Sequence, residues 1–275
     1  ADLVHAHQVN VYAFASALAV NGQRRPLVLT AYGSDIQSAP DQSRLIRWLV
    51  RWTLRRASRI ISESRSLIDE IDRLEPGARH RTRRIPFPLP GVTTRPVKEA
   101  LAYSNRLHEP NYRIDRVLRG LVVLRAQGGI DLRAVIAGEG SETPRLRRLA
   151  TELGLDPWVE FVGWVDAARN EEYYGRAAYF FSLPEKDAYS ISLQEAMQWG
   201  CLPIVSDIAC NRELVLHGTN GVLLDIDGGG LEALTALDLE AVRRLNRDLI
   251  HRSTAAELCL PAFLRVYREA LGLSP

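Results

Sequence analysis

The stretch 179–197, Tyr-Phe-Phe-Ser-Leu-Pro-Glu-Lys-Asp-Ala-Tyr-Ser-Ile-Ser-Leu-Gln-Glu-Ala-Met, holds the densest set of groups able to do chemistry. A strand-like apolar run gives way to a polar loop and then to a helix predicted over Ile191–Gln198. That order places Asp187, Tyr189 and Ser190 on the loop and Glu195 in the first turn of the helix. The first N–H groups of a helix have no partner inside it, so the amides near Ser190 and Ile191 are free to hold an anionic oxygen. A plainer reading stands beside this one. Ser192-x-x-Glu195 matches a capping box, in which serine and glutamate satisfy each other's backbone donors.

Other spacings carry weaker signals. His5-x-His7 on a strand points both rings to one face, a start for a metal site, but no third ligand stands at a suitable spacing and no metal is expected. Gly138-x-Gly140 lacks the third glycine of a dinucleotide fingerprint and reads equally well as a tight strand-to-helix turn. Arg44, Arg47, Arg51 and Arg55 fall on one helical stripe flanked by Trp48 and Trp52. The stripe reads either as a solvated face over a core-facing helix or as a surface for anionic lipid headgroups.

The elements that must position these groups alternate. Strands are predicted at Leu3–His7, Pro26–Ala31, Arg59–Ser62 and Arg83–Pro86, with helices at Val11–Val20, Ser43–Ala57 and Ser64–Leu74. The proline-rich stretch Pro86–Pro96 can sit inside neither a sheet nor a helix and reads as a link. Beyond it, strands are predicted at Leu101–Ser104, Arg133–Ala137, Val159–Val162, Tyr179–Leu183 and Pro203–Ser206. The helices of this half are predicted at Asp115–Gln127, from Gly140 to Gly154, and at Glu171–Arg176, Ile191–Gln198, Leu231–His251 and Ala255–Leu271. Strand–helix alternation of this kind argues for parallel βαβ units, hence an α/β fold of two Rossmann-like lobes. In such sheets ligands lie at the carboxyl ends of the strands.

Bulk properties narrow the class. The 275 residues are 46% hydrophobic and 25% charged, with a formal net charge of +2. That is a globular composition, long enough for two domains, with no overall basic field to hold nucleic acid. Three cysteines without a CxxC pair argue against a disulfide framework and fit a reducing compartment. No apolar run reaches the length of a membrane span.

With those residues in view, the sequence resembles glycosyltransferase family 4. The run Asp187-Ala-Tyr-Ser-Ile-Ser-Leu-Gln-Glu-Ala-Met-Gln-Trp-Gly-Cys-Leu-Pro-Ile-Val-Ser-Asp207 is similar to the family's E-G-F-G-x4-E-A-M-A-x-G-x-P-V-V-x-S-D. The likeness extends in order through Asp2–His7, Leu29–Asp35, Val135–Gly140, Val159–Val165, Asn211–Val215 and Asn220–Leu224. It implies a GT-B fold divided as 1–92, an acceptor-side lobe, and 93–254, a donor-binding lobe. The remainder, 255–275, is implied to be a helix packing back on the first lobe. The first lobe reads as incomplete by two or three βα units.

The resemblance also implies roles. Glu195 would hydrogen-bond the nucleotide ribose, and Asp187, in place of the usual Glu, would hold hydroxyls of the transferred sugar. Arg106 matches the arginine that stabilises the leaving diphosphate. No lysine follows it, and Arg113 is the substitute candidate. Val165, Tyr189, Ser190 and Ile191 complete the donor contacts. Ala188 and Ser190 replace two glycines. His7, Tyr32, Ser34 and Asp35 would line the acceptor side, with Tyr32 where members often have His.

The implied activity is metal-independent transfer, with retention, of a hexosyl unit from a UDP- or GDP-sugar to a glycan or lipid-linked acceptor in cell-surface polysaccharide synthesis. A cytoplasmic place at the inner membrane face, through Arg44, Arg47, Arg51, Trp48 and Trp52, would suit it. Two rival readings share the same residues: a sugar-nucleotide epimerase of the same architecture, and a non-catalytic binding protein derived from a transferase.

Overall fold

The computed structural model describes residues 1–94, 96–128, 131–225 and 229–274. Arg95, within the proline-rich stretch, lies outside them. The chain divides into two compact units. The first takes in Ala1–Pro90, Asp187–Tyr189 and the segment from Ser253 onward; the second takes in Gly91–Lys186 and Ser190–Arg252.

The first unit is built on four parallel strands in sequential order, β1 (Val4–His7), β2 (Leu27–Thr30), β3 (Arg59–Ser62) and β4 (Thr82–Arg84). Their register aligns Ala6 with Leu29 and Leu29 with Ile60. Every residue of β2 is buried, as expected for a parallel strand covered on both faces. Between β1 and β2 runs α1 (Val11–Val20), which starts where the Asn10 side chain accepts from the amides of Tyr12 and Ala13. Two short helices absent from the sequence reading, α2 (Ser34–Gln37) and α3 (Ala39–Gln42), lead into α4 (Arg44–Arg56). At four residues each they are too brief to leave a 3.6-residue pattern. Ser43 caps α4 and Ser64 caps α5 (Arg65–Leu74), each through its hydroxyl. Helix Ala256–Ala270 belongs to this unit: Val266 packs with Val28, Ile61 and Ile85, and Glu269 pairs with Arg59 and Arg83 at 2.9 and 3.0 Å.

In the second unit the six parallel strands run β10-β9-β8-β5-β6-β7. They are β5 (Glu99–Ser104), β6 (Arg133–Ala137), β7 (Val159–Gly163), β8 (Ala177–Ser182), β9 (Leu202–Ser206) and β10 (Val222–Leu224). The helices between them are α6 (Ile114–Gly128), α7 (Thr143–Glu152), α8 (Ala167–Arg176) and α9 (Ile191–Gln198), with α10 (Leu239–Thr254) after the last strand. Winding proceeds outward from β5 to β7, then restarts on the other side at β8. The sheet therefore has its topological switch point between β5 and β8, where an open α/β sheet leaves a crevice at the strand ends. The core of this unit sets Val117, Leu118 and Leu121 of α6 against Ala134, Ile136 and Phe181.

Several expectations need correction. The edge strand β10 is only three residues long and was not anticipated. The helix expected over Leu231–His251 is instead a 3-10 turn at Leu231–Ala236 followed by α10. The Ser192–Glu195 capping box does not form. Ser190, extended at φ −62° and ψ 113°, is the cap, and its hydroxyl accepts from the Leu193 amide. Ser192 is already inside the helix, so its side chain is in no position to cap, and Glu195 lies in the second turn rather than the first.

Candidate functional site

The two strands flanking the switch point deliver the main groups of the second unit. β5 ends at Ser104 and hands the chain to Asn105 and Arg106. β8 ends at Ser182 and leads to the loop that starts α9. Arg106 Nη1 donates to Ser190 Oγ at 2.8 Å, and its guanidinium lies 4.6 Å above the Tyr112 ring. A fixed positive charge thus stands beside the positive end of α9, where anions are favoured. The path of Arg106 is set by glycine. Gly138 has φ +106°, and a Cβ there would lie 2.5 Å from the Arg106 carbonyl oxygen. The Gly138-x-Gly140 signal is therefore a close backbone approach that seats the 106–108 loop, fastened by His108 N donating to Glu139 O at 3.1 Å.

Glu195 faces the same end of the sheet. Its Oε2 accepts from the Tyr174 hydroxyl at 3.0 Å, and Asn105 Nδ2 donates to that hydroxyl at 2.8 Å. Asn170 Oδ1 accepts from Asn105 and from the Tyr103 hydroxyl at 2.8 and 2.6 Å. Burial raises the Glu195 carboxyl above the ordinary range; the Tyr174 hydrogen bond opposes that shift and the nearby Glu171 adds to it. Asn105 Oδ1 is buried with no hydrogen-bond partner. Tyr174, Asn105, Asn170 and Tyr103 were missed in the sequence; the only available signal was the pair of strand-end and helix positions, which many α/β proteins share.

Arg113 is placed differently from Arg106. Held in the left-handed region at φ 47°, it makes a bidentate pair with Asp115 at 3.0 Å for both contacts and a third contact with Glu185 at 2.8 Å. Those two carboxylates already compensate its charge. Val165 is half-buried on the loop between β7 and α8, and Ile191 is exposed at the first position of α9.

Asp187, Ala188 and Tyr189 belong to the first unit. The Asp187 carbonyl accepts from Gln37 Nε2 at 3.0 Å. Ala188 is part of the apolar core of that unit, and Gly33, at φ +129°, could carry no side chain because a Cβ would fall 2.5 Å from Ala188 Cβ. The Tyr189 hydroxyl accepts from Arg84 Nη2 at 3.1 Å. Alanine at 188 is thus a packing residue, and serine at 190 is a helix cap.

On β1, His5 and His7 bring their tilted rings to a centroid separation of 4.2 Å, on one face as the spacing requires. His5 lies between Thr30 Oγ1 at 2.8 Å and the Tyr267 hydroxyl at 2.9 Å, and burial lowers its pKa to about 4. His7 Nδ1 meets the Tyr32 hydroxyl at 2.8 Å, and Tyr32 stacks on Phe87 at 5.4 Å. Among the described residues no group of three or more His, Cys, Asp or Glu could hold a metal ion. Asp35 is committed to the backbone: Oδ2 accepts from Val9 N at 2.7 Å, and Oδ1 from Tyr32 N at 3.1 Å and Gly33 N at 2.8 Å. With Ser34 it lines a cavity of about 380 Å3 between the β1 and β2 ends and α4.

One group in this region had no sequence signal. Glu63, directly after β3, is buried, and its Oε2 has no hydrogen-bond partner. Burial first, then the negative charge of Asp187, raises its pKa to about 8, so the carboxyl is largely protonated at neutral pH. On α4, Trp48 is exposed, whereas Trp52 is half-buried against Phe14 at 5.1 Å and under the Arg56 guanidinium at 4.4 Å.

Comparison with known proteins agrees with this layout. Residues 92–228 match the family model described as glycosyl transferases group 1, and residues 1–88 match that of a glycosyl transferase 4-like domain. N-acetyl-alpha-D-glucosaminyl L-malate synthase of Bacillus anthracis is 24% identical over 265 residues, 92% of this chain and 67% of that protein. GDP-mannose:cellobiosyl-diphosphopolyprenol alpha-mannosyltransferase of Komagataeibacter xylinus is 27% identical over 152 residues, half of this chain but only 37% of that protein. Among solved structures, Anabaena HepE in complex with UDP and glucose superposes with a TM-score of 0.82 at 17% identity, over 98% of this chain and 78% of that one. Sucrose-phosphate synthase of Thermosynechococcus elongatus gives 0.83 at 17% identity, over 99% and 74%. The two matched segments, in order along the chain, and the two parallel α/β units place the chain in the group 1 glycosyltransferases, nucleotide-sugar-dependent enzymes of the GT-B fold.

Proposed function

We propose that this chain transfers a hexosyl unit, with retention, from a UDP-linked sugar to a glycan or lipid-linked acceptor used in cell-surface polysaccharide synthesis. The observation that carries the donor half of the reading is Arg106 on the Ser190 cap of α9, with Glu195 on the same helix. In this reading Arg106 and the first amides of α9 take the diphosphate and stabilise the charge that grows on it as the glycosidic bond breaks. Glu195, oriented by Tyr174, accepts from the ribose. Asp187 is assigned to hydroxyls of the sugar, and Val165, Tyr189 and Ile191 are assigned to donor contacts by the resemblance alone. His7, Tyr32 and Ser34 face the acceptor, and Asp35 holds their loops. No metal takes part. Arg113, already paired, serves structure more than phosphate.

UDP is favoured as the donor nucleotide because HepE was solved with UDP; the mannosyltransferase relative, named for GDP-mannose, keeps GDP as the alternative. The chain works at the inner face of a membrane, through Arg44, Arg47, Arg51 and Trp48. No helix of the described residues is long and apolar enough to cross one.

Titration calorimetry with UDP, GDP and ADP tests the donor site. Selective binding of one nucleotide, lost in Glu195→Ala, is the expected result. Equal binding by wild type and Glu195→Ala removes the ribose role. Nucleotide binding without transfer to any acceptor would favour the non-catalytic reading, and turnover of the donor alone the epimerase.

A further inference from the structure

Tyr103, Asn170, Asn105 and Tyr174 lead in a chain of hydrogen bonds to Glu195, and the hydrogens each can give set the direction of the chain. Tyr103 donates to Asn170 Oδ1 at 2.6 Å. Asn105 Nδ2 gives its two hydrogens to Asn170 Oδ1 and to the Tyr174 hydroxyl oxygen, each at 2.8 Å. The one hydrogen of Tyr174 is thereby turned to Glu195 Oε2 at 3.0 Å. Burial first, with the Glu195 charge adding to it, raises the pKa of both tyrosines, so neither loses the hydrogen it gives.

This arrangement leaves Asn105 Oδ1 buried without a partner. Turning the amide over would let that oxygen accept from Tyr174, but it would set the oxygens of Asn105 and Asn170 against each other and take the Tyr174 hydrogen away from Glu195. A buried acceptor left unmade lowers stability, and in a folded protein it marks a competing demand. The titratable groups facing Glu195 are Tyr103 from β5 and Glu171 and Tyr174 from α8, and Ser192 of α9 also hydrogen-bonds the Tyr174 hydroxyl. Among them only the Tyr174 hydrogen bond opposes the rise that burial and Glu171 impose on the Glu195 carboxyl.

We infer that Asn105 is a positioning residue for the nucleoside diphosphate: by giving away both amide hydrogens it commits the Tyr174 hydroxyl to Glu195 and aims that carboxylate at the ribose. The inference rests on the assignment of Glu195 to the ribose. In this role Asn105 acts through Tyr174 and need not touch the ligand. It stands directly after β5 and one residue before Arg106, so a single strand end both aims Glu195 and presents the charge assigned to the diphosphate.

The test exploits direction. Aspartate has nearly the shape of asparagine but, when ionised, only accepts, so Asn105→Asp should draw the Tyr174 hydrogen to itself and leave Glu195 without it. Calorimetry with UDP, GDP and ADP identifies the nucleotide that wild type selects, and the variants are titrated with that nucleotide. Asn105→Asp should weaken binding by about tenfold, the loss of one hydrogen bond to a charged group, and Asn105→Ala by only about two- to threefold, since Tyr174 can still donate to Glu195. The losses should not multiply: on a Tyr174→Phe background, Asn105→Asp should cost about twofold or less. The pH below which binding fails should rise by about one unit in Asn105→Asp and in Tyr174→Phe, because Glu195 then lacks the contact that opposes its protonation. Urea unfolding checks that each variant is folded.

Unchanged affinity and an unchanged acid limit in folded Asn105→Asp overturn the inference. So does an equal loss in Asn105→Ala, which would make the residue a packing element. A loss from Asn105→Asp that persists in full on Tyr174→Phe also overturns it, because the new charge would then act on the nucleotide anion directly. Should Asn105→Asp fail to fold, Tyr174→Phe alone decides: an acid limit that stays in place refutes a chain ending at Glu195. Binding lost in Glu195→Ala but untouched in Asn105→Asp refutes the inference alone. Binding indifferent to Glu195→Ala, or absent in wild type with every nucleotide, refutes the ribose role and this inference with it.

Discussion

Replacing Glu63 with glutamine should make the protein more stable, and increasingly so as pH rises. The carboxyl is buried with one oxygen unpartnered, and its pKa is raised from 4.5 to about 8. In the unfolded chain it loses its proton near pH 4.5; in the folded chain it keeps the proton until near pH 8. The folded state therefore binds more protons between those values, and its stability falls as pH rises through that window. At about 1.4 kcal/mol for each pH unit, the full displacement amounts to about 5 kcal/mol. Glutamine has nearly the same shape as the protonated acid and does not ionise. Wild type and Glu63→Gln should thus unfold at nearly the same urea concentration at about pH 5, and the variant should gain several kcal/mol by about pH 8.5. The difference between the two proteins is the decisive quantity. His5, with its pKa lowered to about 4, imposes an opposite trend on both, costing stability as pH falls below about 6.5. A difference that stays flat from about pH 5 to 8.5 would refute the claim that Glu63 is held as a neutral acid, and a variant less stable at every pH would mean that the second oxygen has a partner.

Other consequences concern the second unit. Arg106→Ala should lower kcat/KM for nucleotide-sugar by about 10²-fold or more, as loss of a donor to a developing anion does; Arg113→Ala should cost less than about tenfold, because Asp115 and Glu185 already occupy its guanidinium. Steady-state kinetics on both variants would reject the assignment if the order were reversed. Tyr174→Phe removes the hydrogen bond to Glu195, and calorimetry should show nucleotide binding weakened by about three- to tenfold, well short of the loss in Glu195→Ala. Gly138→Ala combines a positive φ with a Cβ driven onto the Arg106 carbonyl. A loss of at least about 2 kcal/mol in urea unfolding, with donor binding impaired in the fraction that folds, is expected.

Where the chain carried strong local signals, sequence and structure coincide. Helix α1 spans Val11–Val20, with Asn10 as its cap, and α9 spans Ile191–Gln198. Both are bounded by residues whose side chains or missing side chains settle the ends. Where two serines competed the reading failed: Ser190 precedes α9 and Ser192 lies in its first turn, and the capping-box pattern pointed to the wrong one. The short helices at 34–42 and the three-residue β10 are shaped by tertiary contacts and leave no period to detect. The candidate site was legible only in where its anchors lie, Arg106 after a strand end and Glu195 in a helix, because strand ends and helix starts are predictable; their roles came from the resemblance. Its supporting shell was not. Asn105, Tyr174 and Asn170 come together from β5, its following loop and α8, and Glu63 looks like any other surface glutamate until β3 and its neighbours enclose it. Arg113 shows the converse: residue type and place were suitable, but Asp115 and Glu185 claim its donors.

Asp35 spends both oxygens on three backbone amides, tying the turn after β1 to the turn after β2. The side chains of Ser34, Ser38 and Gln42, which line the 380 Å3 cavity beside those turns, carry none of that bracing load. Rigidity and selectivity are therefore assigned to different residues at this end of the sheet. A library that randomises these three positions while holding Asp35, Gly33 and the α1 cap Asn10 fixed should yield folded proteins at high frequency, which makes this rim a practical place to redesign what the first unit accepts.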